Sequence, residues 1–152
     1  MIINGNGHTN KKCILVADDD ADDRELIKVA FEENEADTAI YFVENGEELV
    51  HYLHRQGKYK DEGVYPFPSL ILLDLNMPKK DGREALREIK SHQQLKALPM
   101  VILTTSTAAK DIVHCYELGV NSYMIKPANF SDLVQFAAML HAYWFNTVQL
   151  PL

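Results

Sequence analysis

The chain has 152 residues, 47% hydrophobic and 24% charged, with a formal net charge of −7 and a pI near 5.3. That balance excludes a disordered chain and suits a single globular domain. With no basic stripe along an acidic sequence, a nucleic-acid-binding surface is not expected.

Met1 to Lys12 is polar apart from Ile2 and Ile3 and lacks the apolar centre of a signal peptide. No run approaches the roughly 18 apolar residues of a membrane span. Cys13 and Cys115 lie far apart and form no CxxC motif, so they read as small buried thiols of a reduced, cytoplasmic protein. Cys13 to Ala17 is a short apolar run ended by acids, a buried strand, and residues 21 to 33 follow at helical spacing through Leu26, Val29, Ala30 and Phe31. Thr38 to Val43 is a second strand, stopped at Asn45-Gly46. Glu47 to Gln56 is helical, and Leu70 to Leu73 is a third strand. A helix follows Asp81-Gly82, and Met100 to Leu103 is a fourth strand. Ala108 to Leu118 is a helix closed by Gly119 as its C-cap. Ser122 to Ile125 is the fifth strand, and a last helix begins near Ser131.

Strands alternating with helices predict an α/β fold, a doubly wound parallel sheet with helices on both faces. Ligands of such sheets bind beyond the carboxyl ends of the strands. Those ends carry Asp18-Asp19, Asp74, Thr104 and Lys126. Each has a plainer reading alone: the acid pair as a helix N-cap, Asp74 as a turn residue, Lys126 as a surface lysine. Thr104 with Thr105 and Ser106 reads as the start of the next helix, which Ser106 or Thr107 caps. Convergence at one sheet edge favours a site. Three carboxylates there repel one another unless a cation joins them. Oxygen ligands without Cys or His suit a hard ion, Mg2+ first. Asp74 then has the surroundings of a carboxylate nucleophile, with the Lys126 ammonium and Thr104 hydroxyl facing a transferring phosphoryl group. The histidines offer no comparable cluster: His51 and His54 share a helix face without a third ligand.

These residues resemble the receiver domains of two-component response regulators, chiefly single-domain, chemotaxis-type members. The resemblance rests on Val16-Ala17-Asp18-Asp19, the run Asp74-Leu75-Asn76-Met77-Pro78-Lys79-Lys80-Asp81-Gly82, Thr104, and Lys126-Pro127. It covers residues 12–147, leaving tails at 1–11 and 148–152. It implies a flavodoxin-like, five-stranded sheet of order 2-1-3-4-5. By the same resemblance Asp74 is the phosphoacceptor, Asp19 a direct metal ligand, Asp18 a ligand through water, and Asn76 a ligand through its backbone carbonyl. Asp20 competes for the register of the acid pair, but the apolar run ends at Ala17, which favours Asp18-Asp19. Thr104 and Tyr123 become the switch pair, and the Lys126–Pro127 peptide is expected to be cis.

The stretch Gln56 to Ser69 lengthens the connection before the third strand. Together with the Asn76-to-Glu84 run it is similar to regulators that serve phytochrome-type sensor histidine kinases. Its aromatics, Tyr59, Tyr65 and Phe67, read either as contacts for a partner or, more commonly for loop aromatics, as pins for the loop. The stretch after Lys126 is shorter than the roughly 50 residues of an output domain, so the expected output is a protein contact or a further phosphotransfer. Leu133, Phe136, Ala137, Leu140 and Trp144 form one apolar stripe on the last helix, while Val134, Ala138, Met139, Ala142, Tyr143 and Phe145 spread over the rest. That excess predicts a homodimer through this helix and its neighbours. The expected activity is phosphoacceptance, not turnover of an external substrate. A magnesium phosphohydrolase with an aspartyl nucleophile is the main rival, but its customary second acid is Asn76 here. A receiver kept only as a binding module is the other rival, and the complete acid–Thr–Lys set opposes it.

Overall fold

A computed structural model describes residues 12–34 and 38–151. The expected tail 1–11 therefore lies outside the described residues. The chain alternates β1 (Cys13–Ala17), α1 (Ala21–Glu32), β2 (Ala39–Val43), α2 (Gly46–Leu53), β3 (Leu70–Leu73), α3 (Gly82–Ser91), β4 (Met100–Thr104), α4 (Ala109–Leu118), β5 (Ser122–Ile125) and α5 (Phe130–His141). All strand pairs are parallel, in the order β2-β1-β3-β4-β5, as expected.

β1, β3 and β4 are buried throughout, as central strands covered on both faces must be. Side chains alternate between faces with period two, so these strands feed two cores. Ile14, Val16, Leu70, Leu72, Val101 and Leu103 pack with Ile27, Phe31, Phe136 and Leu140 of α1 and α5. Leu15, Ile71, Leu73 and Ile102 pack instead with Leu49, Leu86 and Cys115 of α2, α3 and α4. Burial pushes the Cys115 thiol up to about 11, which keeps it protonated and inert.

Helix starts follow local capping. Asp20, Asn45, Asp81 and Asn129 each accept a backbone N–H from the first turn of α1, α2, α3 and α5. Asp20 is thus the cap of α1, which leaves Asp18-Asp19 as the pair at the strand end. Gly119 ends α4 with φ 105°, a left-handed conformation that glycine adopts without a Cβ penalty.

The structure corrects four expectations. No cis peptide occurs among the described residues, so Lys126–Pro127 is trans, the isomer that X-Pro bonds intrinsically prefer. α2 stops at Leu53, short of Gln56, because Arg55 and Gly57 turn left-handed at φ 58° and 60°. The N-cap of α4 is Ala108, which has no side chain to bond the first turn, so neither Ser106 nor Thr107 is the cap. Finally, α5 passes into a π-helical segment, Ala142–Thr147. Val148 N–H bonds the Tyr143 carbonyl, five residues back, and this wider turn shifts the inward position after Leu140 from Trp144 to Phe145. Phe145 is buried and Trp144 only half-buried.

The long α2–β3 connection is a packed unit. A 3-10 turn spans Gly57–Lys60, and the rings of Tyr52, Tyr59 and Tyr65 meet one another at 5.0 to 5.9 Å. Tyr52 Oη donates to the Pro66 carbonyl at 2.7 Å, and the Arg55 guanidinium donates to the Tyr65 carbonyl. Tyr59 and Tyr65 pin the loop; Phe67 stays 45% exposed.

Candidate functional site

The carboxyl edge of the sheet is assembled by backbone bonds that continue the parallel ladder one residue past each strand. Asp18 N–H donates to Val43 O at 3.1 Å, Asp74 N–H to Ala17 O at 3.0 Å, and Lys126 N–H to Thr104 O at 2.8 Å. Side chains on these residues are therefore delivered to one place by strand register. Gly82 lets α3 dock beneath them, since a Cβ there would fall 2.2 Å from the Asp74 carbonyl oxygen.

Lys126 Nζ lies 2.8 Å from Asp18 Oδ2, 2.8 Å from Asp23 Oδ2 and 3.1 Å from Asp74 Oδ2. The other Asp74 oxygen, Oδ1, accepts from the Thr104 hydroxyl at 2.8 Å and from the Asn76 amide at 3.3 Å. Asp18 Oδ1 accepts from the Asp20 amide at 2.9 Å. Asp18, Asp74 and Thr104 are buried, while Asp19 is exposed. One carboxylate oxygen from each of Asp18, Asp19 and Asp74 lies within 4.8 Å of the others.

Charge is unbalanced here. The carboxylates of Asp18, Asp23 and Asp74 share one ammonium, and Asp19 adds a further acid beside Asp18 and Asp74. Burial raises the Asp18 pKa, against the lowering influence of Lys126 and the Asp20 amide. Burial alone would lower the Lys126 pKa, but hydrogen bonds to Asp18 and Asp23 hold it well above the ordinary lysine range. The surplus of negative oxygen ligands, with no sulfur or imidazole among them, fits a hard divalent cation.

Beside this edge lies a second polar cluster. Arg83, on the first turn of α3, grips Asp111 of α4 through two parallel bonds, Nε to Oδ1 at 2.8 Å and Nη2 to Oδ2 at 2.7 Å. Ser106 Oγ donates to Asp111 Oδ2 at 2.7 Å. Tyr123 Oη donates to the Ser106 carbonyl at 2.9 Å. Hydrogen bonds from Arg83 and Ser106 hold the Asp111 carboxyl far below the usual carboxylate range.

Of the residues singled out in the sequence, Asp18, Asp19, Asp74, Thr104 and Lys126 come together. The Asn76 amide joins them, and Tyr123 stands one step away through Ser106. Sequence reasoning missed Asp23 and Asp111. Asp23 belongs to the acidic run and reads as an ordinary first-turn acid of α1. Asp111 likewise reads as a first-turn acid of α4; only the packing of α3 against α4 gives it Arg83.

A 2-1-3-4-5 parallel sheet with clustered acids, a threonine and a lysine at its carboxyl edge defines a phosphorelay receiver domain. The chain belongs to the response regulator receiver domain family, which matches residues 14–138, and so to two-component signalling. It is 40% identical over 140 residues to the response regulator Rcp1 of Synechocystis sp., covering 92% of this chain and 93% of Rcp1. Among solved structures it is similar to the phosphorylated cyanobacterial phytochrome response regulator RcpA, at 42% identity and a TM-score of 0.86, covering 93% of this chain and 99% of RcpA. The Mn(2+)-bound form of Rcp1 superposes with a TM-score of 0.83 at 40% identity, covering 93% of this chain and 99% of that one.

Proposed function

We propose that Asp74 accepts a phosphoryl group from the phosphohistidine of a sensor histidine kinase, and that the modified domain changes its protein contacts. The observation that carries this reading is the Asp74 carboxylate itself. It is buried, held by Thr104 on one oxygen and Lys126 on the other, within reach of two further acids. A carboxylate oxygen attacks phosphorus, the P–N bond breaks, and the electron pair stays on the kinase imidazole, which leaves neutral because its other ring nitrogen already carries a proton. The Lys126 ammonium offsets charge on the transferring oxygens, and the Thr104 hydroxyl turns from Asp74 toward one of them.

Asp18, Asp19, Asp74 and the Asn76 backbone carbonyl would hold Mg2+. When bound, the ion supplies charge neutralisation of the phosphoryl oxygens. Thr104 and Tyr123 form the switch pair, passing the change at Asp74 to the α4–β5 surface. A second acid for hydrolytic turnover is not supplied two residues after Asp74, where Asn76 stands, which favours a phosphoacceptor over a phosphohydrolase.

The similarity to RcpA and Rcp1 supports a kinase of phytochrome type. Val113, Tyr116, Ile125, Met139 and Tyr143 are exposed apolar side chains on α4, β5 and the α5 end, and they support a homodimer through that face. No helix of the described residues is long and apolar enough to cross a membrane, consistent with a cytoplasmic site of action. The receiver domain, 12–147, is the unit that carries this function.

Incubation with acetyl phosphate and magnesium, followed by intact mass, tests the acceptor. Wild type should gain one phosphoryl mass and Asp74→Asn none; an unmodified wild type would overturn the reading. A monomeric mass at tens of micromolar, with and without phosphorylation, would remove the homodimer.

A further inference from the structure

Phosphorylation at Asp74 reaches the rest of the molecule through the β4–α4 loop, which carries Ser106 two residues after Thr104. This loop has no side-chain cap on the helix it introduces, so something else must set its position. Ser106 is held twice over. Its hydroxyl donates to Asp111 Oδ2 at 2.7 Å and accepts the Ala108 amide at 3.4 Å. Its carbonyl is the acceptor for Tyr123 Oη at 2.9 Å, and the half-buried Tyr123 ring packs against the core shared by α2, α3 and α4.

Asp111 can hold Ser106 only because Asp111 is itself held. The Arg83 fork matches both carboxylate oxygens, a geometry lysine cannot reproduce. Arg83 Nη1 also reaches Asn76 Oδ1 at 3.5 Å and Asp81 Oδ2 at 3.6 Å. The same guanidinium thus touches the loop that follows Asp74 and, through Asp111 and Ser106, the loop that follows Thr104.

We infer that the Arg83–Asp111 ion pair is a positioning device. It clamps the β4–α4 loop so that the Ser106 carbonyl captures the Tyr123 hydroxyl, and thereby favours the inward ring and the phosphoryl-binding arrangement at Asp74. The second half rests on the acceptor reading above; the first does not. With the clamp cut, Ser106 loses its anchor, its carbonyl drifts, and Tyr123 turns toward solvent more often. A phosphoryl group must then restore this order itself, so it binds more weakly.

The test uses the full chain labelled with 3-fluorotyrosine, the Tyr123 resonance being assigned with Tyr123→Phe. Beryllofluoride with magnesium serves as the phosphoryl probe. In the free protein, Arg83→Gln and Asp111→Asn should each move the Tyr123 signal toward its solvent-exposed position. Both should weaken beryllofluoride binding about fivefold or more. Arg83→Lys keeps the charge without the fork and should give an intermediate effect in a chain least disturbed in folding. The reciprocal double variant, R83D with D111R, should recover much of the loss. An unchanged Tyr123 resonance in folded Arg83→Lys and Asp111→Asn would overturn the clamp. A moved resonance with wild-type beryllofluoride affinity would overturn the coupling of the clamp to the phosphoryl site. If wild type itself binds no beryllofluoride, the acceptor reading fails, while the Tyr123 signal of the free protein still decides the clamp.

Discussion

Two ionic clusters sit side by side at the carboxyl edge of the sheet, and they are built on opposite plans. Around Lys126, three carboxylates contact one ammonium and Asp19 waits at the rim. Around Arg83, the fork closes on both oxygens of Asp111, Nη1 lies 3.6 Å from the partly exposed Asp81, and the remaining capacity of Asp111 is filled by Ser106. The first cluster stays short of positive charge and has oxygens to spare for a cation. In the second, both oxygens of Asp111 are matched by the Arg83 fork. An unbalanced cluster is suited to chemistry; a balanced one holds geometry.

Substitutions can break this contrast, and the largest effect belongs to Asp74, the proposed acceptor. Asp74→Asn should abolish phosphorylation by acetyl phosphate in intact-mass measurements while the fold persists. Lys126→Met should cost about 3–5 kcal/mol in urea unfolding, because it strands buried carboxylates. Magnesium should recover part of that loss, since a cation replaces the missing ammonium. In wild type, magnesium at a hundredfold excess over its dissociation constant should stabilise by about 2.7 kcal/mol. Asp19→Asn should shrink that gain, read as the magnesium-dependent rise in Tm, without lowering the metal-free Tm.

Arg83→Gln should cost about 1–3 kcal/mol, by removing two charge-assisted bonds from a nearly buried carboxylate. Magnesium should not rescue it. A rescue equal to that of Lys126→Met would erase the distinction between the clusters.

The smallest effect is in pH. The folded-state pKa of Asp111 lies below its unfolded value. Its contribution is therefore fully present above the ordinary carboxylate pKa of about 4 and fades as pH falls below it toward the folded value. The gap in urea midpoint between wild type and Asp111→Asn should be constant from about pH 5 to 8 and narrow below about pH 4.

Much of the acidic cluster was legible in the chain because each member ends a strongly patterned strand. Once β1, β3, β4 and β5 are parallel, their next residues must share an edge, so Asp18, Asp74, Thr104 and Lys126 converge by register alone. Asp23 was not legible in this way. It sits on α1, and its reach to Lys126 depends on how that helix lies across the sheet. The same limit applies to α5, whose α-helical periodicity points Trp144 inward. A π turn is a matter of backbone bonding at one place, which side-chain spacing does not announce, and it brings Phe145 inward instead.

The long loop shows an intermediate case. Its aromatics were visible as anchors, but their mutual packing, and the left-handed Arg55 that ends α2, depend on the surface they cover. The layered α/β fold and the edge at which the acids meet were readable from the chain alone, because periodicity and strand ends are local properties. Tertiary structure alone decided that Asp23 shares Lys126, that Lys126–Pro127 is trans, and that Arg83 closes on Asp111. Each of these depends on how separate elements settle against one another, which no single stretch of chain encodes.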